Sequence, residues 1–261
     1  MLLPRLIPSL LLDQDLHLVK TVRFSDRHYL GDPLNAAYVY SGYQVDELLV
    51  LDIDATAAGR CIPLSFVEAL ARFTKVPLTV GGGIHTLEEI QGLLALGVER
   101  VILGSALMKD LSFLRQAVER FGSSTISVMI NVARTPEGKL LGYFGREGKS
   151  HASALVELAC ACETAGTGEI VVNDVDREGT REGYDLRLYA ELNDALTIPL
   201  VALGGCGGEQ HIEALVRATP VSGIAAGSLF VYAPGTQEVL LNYPQRSSAI
   251  RQQLGMVRST Q

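Results

Sequence analysis

An internal repeat constrains this chain more than any single motif does. Set over NDVDREGTRE (173–182), the stretch LDIDATAAGR (51–60) brings Asp52 and Asp54 onto Asp174 and Asp176, an offset of 122 residues. The same offset lays VPLTVGGG (76–83) on IPLVALGG (198–205), matching Pro77 with Pro199 and Gly82–Gly83 with Gly204–Gly205. One residue later in register, Gly104–Ser105 matches Gly227–Ser228. A second half that repeats the first is what a barrel closed from two half-barrels produces.

Short apolar runs supply the strands: Arg5–Leu10, Glu47–Asp52, Leu78–Val80, Arg100–Leu103, Thr125–Asn131, Glu169–Asn173, Leu200–Leu203 and Gly223–Ala226. Amphipathic stretches such as Thr86–Leu96, Leu111–Phe121 and Ala152–Thr164 fall between them and read as helices. Strands alternating with helices predict a parallel sheet with right-handed crossovers. The repeat favours closure, and a dinucleotide-binding sheet would need a GxGxxG turn that is not present. The expectation is α/β, a (β/α)8 TIM barrel forming a single domain over 1–261. Its half-barrels are about 1–122 and 123–245, with a C-terminal tail at about 246–261. A length of 261 residues suits one such barrel.

The apolar run LIPSLLL (6–12) must then be the first strand. Pro4 and Pro8 break the apolar N-terminal stretch, Arg5 is the only charge ahead of the run, and the run is far shorter than the ~20 apolar residues of a membrane span. A net charge of −7 argues against nucleic acid or an anionic membrane as partner. Cys61, Cys160, Cys162 and Cys206 form no ligand cluster, and the five histidines are dispersed, so reduced thiols, a cytoplasmic location and no metal or cofactor are expected.

In such a barrel the working face lies at the C-terminal ends of the strands. There the repeat places two Gly-rich turns, Gly81–Gly83 and Gly204–Gly208, each beside a Gly-Ser pair, Gly104–Ser105 or Gly227–Ser228. Glycines let backbone amides approach an anion, and a helix N-terminus beyond adds partial positive charge. Two such sites across one mouth suggest a ligand with a phosphate at each end; tight turns alone would also use glycine. Asp52, Asp54, Asp174 and Asp176 stand at the strand tips. They suit hydroxyl binding or proton transfer, or equally helix capping and pairing with Arg60 and Arg177. At the opposite end Arg5, Glu47, Arg100 and Glu169 each precede the apolar part of a strand. They form either a solvated rim or a ring of alternating charge across the barrel floor.

These residues also carry a resemblance. RLIPSLLL, VDELLVLDID, VPLTVGGGI, the GDP at 31–33, DREGTREGYDL (176–186) and Gly227–Ser228 resemble the HisF family, the cyclase subunit of imidazole glycerol phosphate synthase, along nearly the whole chain. The resemblance implies a (β/α)8 barrel that takes ammonia from a separate HisH-like glutaminase docked at the floor. Ammonia would pass through the barrel to a bisphosphorylated substrate at the top. It assigns Arg5, Glu47, Arg100 and Glu169 to the ammonia gate, with Arg100 in place of a usual lysine, and Glu99 to the glutaminase interface. It assigns Gly82, Gly83, Gly104, Ser105, Glu178, Gly179, Gly204, Gly205, Gly227 and Ser228 to phosphate binding. Gly104 there replaces a usual asparagine and Glu178 a usual aspartate.

Two departures matter most. Leu11 stands where the family carries the first catalytic aspartate, and Asn131, in MINVAR, where it carries the second. Neither transfers protons near neutral pH. Losing two acid–base groups costs ~10²–10⁴ in rate each. The LLL of strand one, LDIDA and LNYP (241–244) are similar to HisF-like proteins of bacterial surface-polysaccharide gene sets. The resemblance to that branch implies a synthase subunit passing ammonia to a sugar amidotransferase that modifies an N-acetyl sugar. Two alternatives stand beside it. One is an active cyclase of histidine biosynthesis in which Asp52 or Asp176 moves the protons. The other is a phosphosugar isomerase of the HisA type, working without a glutaminase.

Overall fold

Eight parallel strands close on themselves. A computed structural model describes residues 4–145 and 152–244, and the expected tail at 246–261 lies outside them. The barrel strands are β1 (Arg5–Leu12), β4 (Leu48–Asp52), β5 (Leu78–Gly81), β6 (Arg100–Leu103), β7 (Ile126–Arg134), β10 (Glu169–Asp174), β11 (Leu200–Leu203) and β12 (Gly223–Ala226). They pair in that order, and β12 returns to β1. Helices α1 (Pro33–Tyr43), α2 (Leu64–Phe73), α3 (Leu87–Ala95), α4 (Ser112–Phe121), α5 (Leu155–Thr164), α6 (Leu186–Ala195) and α7 (Glu209–Ala218) fall between strands, and the short α8 (Ser228–Val231) follows β12. Among the described residues no helix is long and apolar enough to cross a membrane.

The unbroken hydrophobicity of LIPSLLL follows from this closure, since a barrel strand is buried on both faces. Alternate residues point opposite ways. Leu6, Leu10 and Leu12 join the outer core against the helices, whereas Ile7 and Leu11 join an inner cluster with Leu49, Leu51, Ile102, Val171, Val201, Leu203 and Ala225. Burying a side chain of this size stabilises the fold by about 1.5–3 kcal/mol.

Several motif residues are helix caps. Asp32 of GDP accepts from the Leu34 amide with Pro33 at the first helical position, and Asp185 of GYDL accepts from the Arg187 and Leu188 amides. Thr86 and Glu89 form a reciprocal capping box on α3. The segment Leu241–Pro244 returns to the floor: the Tyr243 hydroxyl donates to the Leu6 carbonyl at 3.0 Å and accepts from the Asp46 amide at 3.1 Å.

The structure departs from expectation in its excursions. Residues 18–31 form an antiparallel hairpin, β2 (Leu18–Val22) with β3 (Ser25–Gly31), rising from β1 through the Leu11–Val19 pairing. β7 runs three residues past Asn131 because β8 (Leu140–Tyr143) pairs along its extension. The expected helix from Ala152 starts at Leu155, since Ser153–Ala154 form β9 against β8.

Candidate functional site

At the floor, charge is gathered within an apolar frame. Arg5 donates one guanidinium nitrogen to Glu47 and the other to Glu169, and Arg100 Nη1 reaches Glu47 Oε2 at 3.4 Å. The contacts thus run Glu169–Arg5–Glu47–Arg100, an open chain of alternating sign; no ion pair joins Arg100 to Glu169 among the described residues. Both carboxylates are buried and each takes a hydroxyl donor: Thr79 Oγ1 to Glu47 at 2.6 Å and Ser127 Oγ to Glu169 at 3.2 Å. Burial pushes the Glu47 carboxyl above its usual range, against the pull of Arg5. Burial would lower Arg5, but the two carboxylates outweigh it and hold the guanidinium higher still. Glu99 is exposed, with its Oε1 3.8 Å from Arg100 Nη1.

At the mouth a cavity of about 140 Å³ opens. Its apolar lining includes Leu11, Leu51, Ile102, Met129 and Leu203, with Ser9, Asn131 and Asn173 as neutral polar groups. Leu11 packs beside Leu51, its register partner. Asn131 Nδ2 donates to the Gly145 carbonyl at 2.8 Å, and its Oδ1 accepts from Asn173 Nδ2 at 3.2 Å. Asn173 Oδ1 and Ser9 Oγ, both buried, have no hydrogen-bond partner among the described residues.

Charged groups at this rim are paired. Asp52, buried, binds Arg60 and accepts from the Asp54 amide, and burial raises its carboxyl above the ordinary range. Asp54 grips Arg27 of β3 through both oxygens, which ties the hairpin to β4. Glu178 is buried and accepts from Lys20 Nζ at 3.2 Å, Thr21 Oγ1 at 3.0 Å and the Phe24 amide at 3.2 Å. Lys20 in turn lies against the Gly227 turn, where an added Cβ would sit 2.6 Å from Nζ.

The repeated glycines have a packing reason of their own. A Cβ on Gly82 would stand 2.8 Å from the Asp52 carbonyl oxygen, and one on Gly204 2.5 Å from that of Asp174. Gly83 and Gly205 are closer still, at 1.9 Å from the Arg60 oxygen and 2.2 Å from that of Gly183. All four carry positive φ. Gly82, Gly83, Gly104, Ser105 and Glu178 line the central cavity. Gly179 and Ser228 line an adjoining depression with Lys20, His28 and Arg181. Gly204 and Gly205 line neither and pack beneath the β10–α6 loop.

The second-half acids lie outside the barrel interior. Asp174 is fully buried, and neither of its carboxylate oxygens meets hydrogen-bond geometry with a side chain among the described residues; Arg177 Nε is 3.6 Å away and Arg134 Nη1 3.7 Å. Burial raises its carboxyl despite these guanidiniums. Asp176 accepts from the Arg134 amide at 2.7 Å, and Arg134 also pairs with Asp185. Near the β1–β2 turn Asp13, Asp15 and His17 gather at the surface, where Asp13 Oδ1 accepts from the amides of the other two.

Sequence reasoning did not find Lys20, Ser9 or Asn173. Lys20 had a signal, a lone cation inside the apolar LVKTV. Ser9 and Asn173 are each four residues past a floor charge on the same strand, Arg5 and Glu169, and so share its inward face.

Comparison with known proteins agrees with this architecture. A family model described as histidine biosynthesis protein matches residues 5–235. A Leptospira interrogans protein provisionally named imidazole glycerol phosphate synthase subunit HisF is 38% identical over 248 residues, covering 94% of this chain and 97% of its own length. A Pseudomonas aeruginosa protein provisionally named subunit hisF2 of the same synthase is 37% identical over 240 residues, covering 92% and 95%. The Bacillus cereus imidazole glycerol phosphate synthase subunit HisF is 35% identical over 236 residues, covering 90% and 93%. With the matched span, these identities and a closed parallel barrel in hand, the chain belongs to the histidine biosynthesis protein family and, within it, to the HisF subunits.

Proposed function

We propose that this protein is the HisF-like synthase subunit of a glutamine-dependent amidotransferase complex. It receives ammonia from a HisH-like glutaminase docked at the floor beside Glu99. It passes the ammonia through the barrel for amidation of an N-acetyl sugar in surface-polysaccharide biosynthesis, by way of a sugar amidotransferase. The observation that carries this reading is a contrast between the two ends. The floor keeps a hydrogen-bonded chain of four charges, while Leu11 and Asn131, at the positions where the HisF resemblance implies the catalytic acids, line the mouth. A leucine moves no proton, and an amide bonded to a carbonyl and a second amide has none to move. The test is glutaminase activity of the cognate HisH-like protein with and without this chain, together with gel filtration of the mixture. Stimulation and co-elution are expected; neither occurring would overturn the reading.

A second reading, an active cyclase subunit of imidazole glycerol phosphate synthase, is favoured by one observation: Asp52 lines the cavity with its carboxyl raised by burial, as a general acid requires. Its partner Arg60 opposes that use, because it holds Asp52 in an ion pair. Rescue of a histidine auxotroph that lacks the cyclase decides between them: growth supports the second reading and sinks the first.

A further inference from the structure

Buried polar atoms nearly always find a partner, so an orphan on a cavity wall marks a place for a guest molecule. Asn173 Oδ1 is such an orphan, a buried acceptor lining the central cavity with no partner among the described residues. It stands at the foot of a seam of neutral polar groups. Asn173 Nδ2 reaches Asn131 Oδ1 at 3.2 Å, and Asn131 Nδ2 reaches the Gly145 carbonyl at 2.8 Å. Gly145 lies against the Gly104–Ser105 turn, since a Cβ added to it would sit 3.2 Å from Ser105 Cα. Ser105 Oγ then meets Thr56 Oγ1 at 2.8 Å. The seam climbs from a buried amide inside β10 to two half-buried residues on the rim loops.

The wall across from this seam is apolar. In the ring order β1, β4, β5, β6, β7, β10, β11, β12, strand β7 lies opposite β1 and β10 opposite β4. Leu11 and Leu51 therefore face Asn131 and Asn173 across the cavity that all four line. Leu203, the register partner of Asn173, sets a further apolar side chain beside the orphan oxygen. At the rim a hollow of about 290 Å³ extends the cavity outward over Ile53, Thr56, Ser105 and Gly145, which line both, to Met108. The charged groups lining the cavity are paired, Asp52 with Arg60 and Glu178 with Lys20.

Each end of the seam has a definite hydrogen-bonding need. Asn173 Oδ1 requires a donor. Of Thr56 and Ser105, one hydroxyl donates to the other, which leaves one hydrogen to give and lone pairs to accept. A donor N–H beside leucine side chains is what a secondary amide with a short alkyl chain supplies. Hydroxyls along one edge and C–H groups on the other face are what a sugar ring supplies.

We propose that the mouth of the barrel is a binding site for an uncharged N-acylated sugar. The acyl amide donates to Asn173 Oδ1 with its alkyl group against Leu203, Leu11 and Leu51, and the ring hydroxyls meet Thr56 and Ser105. This deepens the proposed function and rests on it for one point, that an N-acetyl sugar is the acceptor; the sugar then docks on this chain as well as on the amidotransferase. Paired charges and an apolar wall favour a neutral guest over an anion.

The test uses the isolated full chain and the methyl glycosides of N-acetylglucosamine and of glucose, observed by saturation-transfer difference NMR. The acetyl methyl group should receive the strongest saturation. The glucose glycoside, which lacks the amide, should bind about tenfold more weakly or worse. Inorganic phosphate, with sodium chloride as ionic-strength control, should leave the signal in place. Asn173→Leu removes the acceptor and should weaken binding about tenfold, and Thr56→Val removes a rim hydroxyl and should weaken it about threefold or more. Circular dichroism checks both folds, and Thr56→Val, at a half-buried loop position, carries the test if Asn173→Leu unfolds. No saturation transfer, equal binding of the two glycosides, displacement by phosphate, or an unchanged signal in Thr56→Val overturns the site. A glutaminase complex that forms while the sugar fails to bind overturns the site alone. Sugar binding without any complex sustains the site and sinks the proposed function.

Discussion

Asn173 Nδ2 donates to Asn131 Oδ1 at 3.2 Å across the β7–β10 pairing, where the two residues are register partners. This amide pair needs both members neutral, because Asn131 must also donate to the Gly145 carbonyl at 2.8 Å. Asn131→Asp sets a carboxylate against that carbonyl. A loss of about 1–3 kcal/mol is expected at pH 8. It should shrink toward pH 5, where a protonated acid recovers the donor. Urea unfolding at the two pH values measures both effects.

Removing the cation at the floor exposes the cost of its acids. Arg5→Met leaves Glu47 and Glu169 buried with less compensation, for a loss of about 3–5 kcal/mol at pH 8. Burial already raises the Glu47 carboxyl, and without Arg5 it rises further. The penalty belongs to the ionised form, so it is full above the raised folded value and fades as pH falls through it. The variant's deficit in urea should therefore be smaller at pH 5 than at pH 8.

Two glycines test different obstacles. Gly227→Ala meets only the end of Lys20, 2.6 Å away, in a backbone conformation open to any residue. It should cost about 1–3 kcal/mol by weakening the Lys20–Glu178 pair. Gly204→Ala meets the Asp174 backbone oxygen at 2.5 Å and carries φ +102°, so neither contact nor conformation can relax. We expect about 3 kcal/mol or more, and thermal unfolding should rank Gly204→Ala well below Gly227→Ala.

Asp174 offers a pH test with the opposite outcome for the variant. Its carboxylate is fully buried, and burial raises it above the usual range although Arg134 and Arg177 pull the other way. An acid raised in the folded state destabilises the fold once ionised, and that penalty disappears as pH falls through the raised value. Asp174→Asn should equal or exceed the parent in stability at pH 8. Its advantage should narrow on acidification, as read from denaturation midpoints between pH 8 and pH 4.

The barrel was legible because closure writes itself into sequence twice, as strands apolar on both faces and as the repeat that aligns Gly82–Gly83 with Gly204–Gly205. The hairpin at 18–31 was not legible. Its second strand, SDRHYLG, is mostly exposed and polar and is held by backbone pairing and by Arg27 on Asp54, neither of which leaves an apolar pattern. The floor charges were readable from position, each standing one step before an apolar run. Which of them touch was not readable, since that depends on side chains reaching across the lumen. The Lys20–Glu178 pair joins residues 158 apart in the chain, and no local spacing announces such a contact. Asp52 and Asp174 align in the repeat, yet Asp52 lines the cavity and Asp174 is sealed behind the sheet. Equivalent positions carry equivalent backbones, not equivalent solvent.

Arg5 holds carboxylates 42 and 164 residues away with the two arms of one planar group. Such a fork cannot let go by halves without tilting out of the plane that serves the other arm. Moving the fork therefore asks for a single rotamer change while the eight-strand ladder stands still, and it leaves Glu47 to Arg100 and Thr79 and Glu169 to Ser127. In the proposed ammonia route Arg5 would be the one pin of a turnstile, whose resistance is set by how readily water or a docked surface can replace its two contacts at once.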